Sequence, residues 1–372
     1  MANERDEQRE REAVLGLWAI PGMGVVHLAD LRQRAGGALG CLLDLPPGEW
    51  TSLLPVGLVP NLWGIPSLRE LAAGVRHAAE RAGIQIAFHD EEAYPELLID
   101  LKDPPPVLFH FGPLGVKRRR VAMVGTRHPE GGFAPIARRL AYEVAEAGVG
   151  VVSGAALGID TECHDGALAA GGETWAFVAS GLDELDAHQA KMSRKILEGG
   201  GRVFTEYPPK VRAEKPHFPR RNRLIAGAAD ATLVLRAPRE SGSLYTAGVA
   251  RLLRRPLLAL PGEITRDKAA GSNQLIHEGH ARLCRGTFDV LEAVGIAVER
   301  TSRQKVAGRS LDELELSASA KKVYGALIQA PQVLEEVLDA TGMDPAELSS
   351  ALCELELEGM AVQHPGRLYE KV

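Results

Sequence analysis

Residues 149–160 read VGVVSGAALGID: an apolar run, then a cluster of small residues, then the opening of a helix. An unbroken apolar strand, rather than one that alternates with polar residues, is what burial on both faces of a parallel sheet requires. The pattern repeats on either side. Apolar runs at 121–124, 149–152, 174–178, 202–204, 231–235 and 257–260 alternate with helical patterns near 133–147, 160–170, 192–198, 221–228 and 244–253. Residues 84–88 form one more strand candidate, and Pro95, Pro104, Pro105 and Pro106 mark a connecting loop. The class this predicts is α/β, a Rossmann-like parallel-sheet core. Its ligand site should lie at the carboxyl ends of the strands.

Shorter modules flank that core. Residues 1–80 read as a small helical domain, in which the turn Ala19 to Gly24 (AIPGMG) resembles a SAM or helix-hairpin-helix turn. Packing and DNA contact both remain open for it. The core spans 81–296 and a polar linker 297–310. Residues 311–372 read as a winged-helix-like domain, with helices near 318–329, 332–340 and 344–358 and a two-stranded wing, 361–364 and 367–370, around Pro365-Gly366. The third of these helices carries Asp344, Glu347, Glu354, Glu356 and Glu358 and no cation. From Arg309 onward five basic residues face twelve acidic ones. Phosphate would be repelled, so this module reads as a protein contact and not as a DNA reader.

A length of 372 residues implies two or three domains. The net charge of −6 restricts any nucleic-acid affinity to a local patch. Cys41, Cys163, Cys284 and Cys353 form no CxxC pair, which argues against a zinc site or a disulfide framework. The charged N-terminus lacks a signal core and no run is long enough to span a bilayer. A soluble cytoplasmic protein with no membrane association is expected.

Four loops at strand ends carry the chemistry. Gly125-Thr126-Arg127 offers close backbone approach and a guanidinium fork. Ser153 to Gly158 forms a small-residue nest at a helix start, with Asp160 as its expected cap and His164 as a structural hydrogen-bonding residue. Lys215 to Arg223 (KPHFPRRNR) sets four cations around Phe218. By composition it is either a solvated basic loop or a surface for phosphates and bases. Ser241-Gly242-Ser243 opens a further helix. No GxGxxG, Walker A loop, HExxH, GxSxG or acidic metal cluster occurs, so no catalytic residue, metal or cofactor is assigned.

The ordered set VGTR, SGAALGID, GLD, TEYP, FPRRNRLIAG, SGSLYTA and LPGE…GSNQLI resembles the DNA-processing protein A (DprA/Smf) family over about residues 84–291. The resemblance implies a non-enzymatic single-stranded DNA binder of natural transformation. Such a protein shields incoming DNA without strong sequence preference, forms a homodimer and helps load the RecA recombinase. It also implies DNA-binding roles for Gly125, Thr126, Arg127, Ser153, Gly154, Gly158, Lys215, Phe218, Arg221, Asn222, Arg223, Ser241 and Gly242. Departures from the family pattern include Leu157, which removes a cation near the nest, and Arg236, which adds one near the site. Two other readings stand beside it: a nucleotide-processing phosphoribohydrolase, with Glu206 and Glu240 as the nearby acids, and a transcription regulator acting through the tail.

Overall fold

The apolar runs become neighbouring strands because each has a buried place on both faces of one sheet. The computed structural model describes residues 2–54, 58, 67–115, 118–130, 132–296, 316–328, 332–357, 360–364 and 368–371. The expected linker at 297–310 and the Pro365-Gly366 turn lie outside the described residues. Met1–Ile296 and Ala297–Val372 form separate units.

In the first unit the strands are β1 (Gln85–Phe88), β2 (Val107–Phe111), β3 (Arg120–Gly125), β4 (Gly150–Ser153), β5 (Thr174–Phe177), β6 (Arg202–Thr205), β7 (Ala231–Arg236), β8 (Leu257–Ala259) and β9 (Arg282–Leu283). Their order in the sheet is β1-β2-β6-β5-β4-β3-β7-β8-β9. From β6 to β9 every pairing is parallel. The fold is α/β and Rossmann-like. Strands β3 to β6 step away in one direction, and β7 then returns to the other side of β3. The carboxyl ends of β3 and β7 therefore flank the point where strand order reverses, where open α/β sheets form a crevice.

One edge departs from the all-parallel expectation. β2 pairs antiparallel with both β1 and β6. The proline run 104–106 had pointed to a loop, yet β2 begins directly after it, where a missing N–H is tolerated. Tyr94 fixes that entry by donating its hydroxyl to the Pro105 carbonyl at 2.7 Å.

Helices α5 (Phe133–Glu146), α6 (Ile159–Ala169), α7 (Ala187–Glu198), α8 (His217–Gly227), α9 (Gly242–Leu252), α10 (Ala270–His277) and α11 (Thr287–Ala293) fill the crossovers and the end of the unit. Ahead of the sheet come α1 (Ala2–Trp18), α2 (Val25–Arg34), α3 (Pro47–Thr51) and α4 (Leu68–Arg81). A capping box between Ser67 and Glu70 starts α4. Gly22, at the α1–α2 turn, has φ +86°, a conformation that favours glycine. Leu15, Leu17, Leu31, Trp50 and Leu68 share one buried cluster with Phe109, Val203 and Ile196, so the N-terminal helices close over the β2–β6 side of the sheet. Trp18 reaches farthest, donating its indole N–H to the Glu206 carbonyl at 2.7 Å.

In the second unit, helices Ala318–Ala326, Leu334–Thr341 and Pro345–Leu357 surround a core that includes Val323, Leu348, Leu352 and Leu355. Its sheet has three strands rather than the two expected. Gln332–Val333 pairs with Leu368–Lys371, which also pairs with Ala361–His364. A two-residue strand is too short to leave a periodic signal. Along the acidic helix Glu354 accepts hydrogen bonds from the Ser317 amide and hydroxyl, and Glu347 one from Ser319.

Phe204, on β6, is fully buried, 5.0 Å from the rings of both Trp175 and Phe177. Phe204→Ala should destabilise the first unit by about 3–5 kcal/mol. The change is read as a lower urea midpoint of that unit's transition.

Candidate functional site

Helices that follow parallel strands begin at the carboxyl edge of the sheet, so α6, α8 and α9 all present their N-termini there. The positive ends of their dipoles converge there. Between α8, α9 and the loop after β3 lies a cleft of about 190 Å³, lined by Gly125, Arg127, Phe218, Arg221, Asn222 and Tyr245 among others.

α8 begins at His217, not at 221 as the sequence pattern suggests. The basic stretch is therefore the first turns of a helix. Pro219 fits there because the first turn has no intrahelical partner for its N–H groups. Helical phase then sorts the side chains: Phe218, Arg221, Asn222 and Ile225, spaced i, i+3, i+4 and i+7, all line the cleft. Arg223, two residues past Arg221, points to the opposite face, where it pairs with Glu206 and, at 3.2 Å, with Asp103. Arg223, expected among the DNA-binding residues, does not line the cleft: it is buried and pairs with two carboxylates.

Gly154 joins two of the lining residues, Asp160 and Arg221. Its N–H donates to Asp160 Oδ2 at 3.1 Å, and its carbonyl accepts from Arg221 Nη1 at 2.6 Å. Arg221 donates also to the Phe177 carbonyl. A Cβ on Gly154 would come within 2.8 Å of Asp160 Oδ2 and 2.9 Å of the guanidinium, so only glycine fits between them. Burial pushes Arg221 down to about 10, against the pull of Asp160. Burial pushes the Asp160 carboxyl up, against Arg221. Each charge offsets part of the other's cost of burial. Asp160 is thus not the cap of α6, as expected; Gly158 holds that position.

Neighbouring contacts fix the rest of the loops. Asn222 accepts from Arg221 Nε at 3.1 Å and donates to the Gly242 carbonyl at 3.2 Å, tying α8 to the start of α9. Ala155 is held at φ +50° and donates its N–H to His164 Nε2 at 3.3 Å. Burial pushes His164 down to about 3, so its ring is neutral. With Nε2 accepting, Nδ1 carries the proton and donates to Thr174 Oγ1 at 2.7 Å. His164 is structural, as its sequence context suggests.

Other predicted residues surround the cleft, and of those that follow Gly125 lines it. Thr126 is buried, its N–H on the Arg236 carbonyl and its Oγ1 accepting from the His128 N–H. Ser153 is fully buried and donates to the Met123 carbonyl at 2.7 Å. Gly158, at φ +83°, lies so close to the loop after β3 that a Cβ would come within 2.5 Å of the Arg127 carbonyl oxygen. Gly125 is held to glycine by Ile159, 2.7 Å from a Cβ placed there, a packing reason rather than the ligand approach expected. Ser241 caps α9, accepting from the Ser243 N–H at 3.2 Å. Lys215 is exposed just before α8. Arg236 is buried 4.7 Å over the Phe133 ring.

Within the cleft the Phe218 ring has two cations near it, the Arg127 guanidinium 5.1 Å and that of Arg221 6.0 Å from its centre. Tyr245 and Thr246 were missed, although Gly242, Tyr245 and Thr246 share one face of α9, a signal that i, i+3, i+4 spacing carries. Glu206 is buried against Arg223, and burial raises its carboxyl.

Comparison with known proteins adds the following. The profile described as DNA recombination-mediator protein A matches residues 85–295, and that of the DprA winged helix domain matches 308–367. A putative DNA processing protein DprA of Mycobacterium tuberculosis is 37% identical over 71% of this chain and 68% of its own. The crystal structure of DNA processing protein A from Streptococcus pneumoniae aligns with a TM-score of 0.61 at 27% identity, covering 77% of this chain and 97% of its own. That of Helicobacter pylori, described by its single-stranded DNA binding mode, aligns with a TM-score of 0.50 at 27% identity, over 56% of this chain and 95% of its own.

Arg223→Ala should destabilise the chain by about 3–5 kcal/mol, because it leaves the buried Glu206 without its cation. Arg127→Ala, at an exposed position, should change stability by no more than about 0.5 kcal/mol. Urea unfolding of the two variants beside the parent checks both.

Proposed function

Because the chain belongs to the DNA recombination-mediator protein A family, we propose that it binds single-stranded DNA in the cleft between α8, α9 and the loop after β3. The observation that carries this is the Phe218 ring lining the cleft beside the guanidinium groups of Arg127 and Arg221. A ring in a cleft stacks any base, since every base has a π-face, and the cations beside it hold the backbone. Converging helix N-termini add donors for phosphate oxygens. None of these elements reads a base edge, so binding is tolerant of sequence. The Helicobacter pylori relative, described by its single-stranded DNA binding mode, supports the same reading.

The site grips its ligand without cleaving it. Asp160 is taken up by Gly154 and Arg221, and Glu206 by Arg223, so neither acid is placed to activate a nucleophile. In the cell, the chain acts in the cytoplasm as a homodimer that shields DNA taken up in transformation and passes it to RecA. The acidic winged-helix unit contributes protein contacts to that task.

Fluorescence anisotropy with labelled oligothymidine tests the binding. Affinity should fall with salt by roughly 0.7 log units per log unit of salt for each phosphate neutralised. Arg127→Ala should weaken binding and reduce that slope by about 0.7, the share of one contact. Phe218→Ala should cost about 1–3 kcal/mol. Equal binding of the parent, Arg127→Ala and Phe218→Ala would remove the assignment of DNA to this cleft. A chain truncated after Ser310 should keep its single-strand affinity. RecA filament growth on DNA coated with single-strand-binding protein should speed up with the parent and not with Arg127→Ala.

A further inference from the structure

The cleft has a second aromatic wall. Tyr245 stands on α9 while Phe218 stands on α8, and both line the same 190 Å³ space. Tyr245 is 48% exposed, and among the described residues its hydroxyl has no hydrogen-bond partner. The contrast with Tyr94 is plain: that ring is buried and its hydroxyl is bound to the Pro105 carbonyl, a structural role. Among the described residues no other ring or cation stacks on Tyr245, which lines the same concave site as Arg127 and the N-terminal turn of α9. Accepting that the cleft takes single-stranded DNA, we infer that Tyr245 is a second base-stacking residue, so that two bases of one strand stack on two helices. Arg127 and the helix N-termini hold the phosphates between them. Affinity then depends on bases being present at two positions, beyond the charge of the backbone.

The test pairs two probes, labelled oligothymidine and an oligonucleotide of equal length made of abasic tetrahydrofuran units. On oligothymidine, Tyr245→Ala should lose roughly 5- to 150-fold in affinity, the range for one stacked base. Tyr245→Phe should bind as the parent does. On the abasic probe, Tyr245→Ala and the parent should agree within about twofold, as charge alone acts there. Oligonucleotides carrying 5-iododeoxyuridine should crosslink under ultraviolet light to the peptide containing Tyr245, and should not do so in Tyr245→Ala. The inference is overturned if Tyr245→Ala binds oligothymidine like the parent while Phe218→Ala is impaired. It is overturned equally if Tyr245→Ala loses the same factor on both probes, or if the crosslink is absent from the parent. Failure of the parent to bind either probe would instead defeat the single-stranded DNA reading itself.

Discussion

A buried guanidinium and a buried carboxylate meet across one glycine, and the cleft takes its shape from that meeting. Arg221 comes from α8, Gly154 from the end of β4 and Asp160 from the first turn of α6. Neither charge is tolerable alone in a dry interior, so each holds the other and the backbone between them in place. The loop after β4 is fixed before any ligand arrives. Two crossovers distant in sequence are thereby locked to one another.

The cations around the cleft consequently divide their work. Arg221 acts from below, Arg127 from the rim, and Arg223 holds Glu206 on the far side of the same helix. Counting arginines near the site would overstate the charge available to a ligand. The phase of α8 decides which of them reaches the cleft, and Asn222 relays that placement to α9 through its bonds to Arg221 and Gly242.

The parallel strands were legible because burial on both faces leaves no room for polar residues, and their apolar runs announce it. β2 was hidden by the prolines before it, and the strand Gln332–Val333 by its brevity. The cleft was legible as a set of loops at strand ends. Its finer assignment was not. Starting α8 four residues late obscured the face that unites Phe218, Arg221, Asn222 and Ile225, and with it the separate role of Arg223. An acid near a helix start serves equally well as a cap or as a partner for a buried cation, and only the presence of Arg221 tells which role Asp160 fills. Gly125 and Gly158 look alike whether a ligand or a packed neighbour excludes the side chain.

The reach of Trp18 to Glu206 has a consequence for how the chain is made. The two residues lie 188 positions apart, so α1 leaves the ribosome long before β6 exists to receive it. At about 5–20 residues per second the wait is roughly ten to forty seconds. Through that interval the apolar end of α1 has only its sequence neighbours to shelter it, chiefly α4 and the turn at Gly40–Asp44. The docking of α1 onto Glu206 therefore waits until β6 has been made.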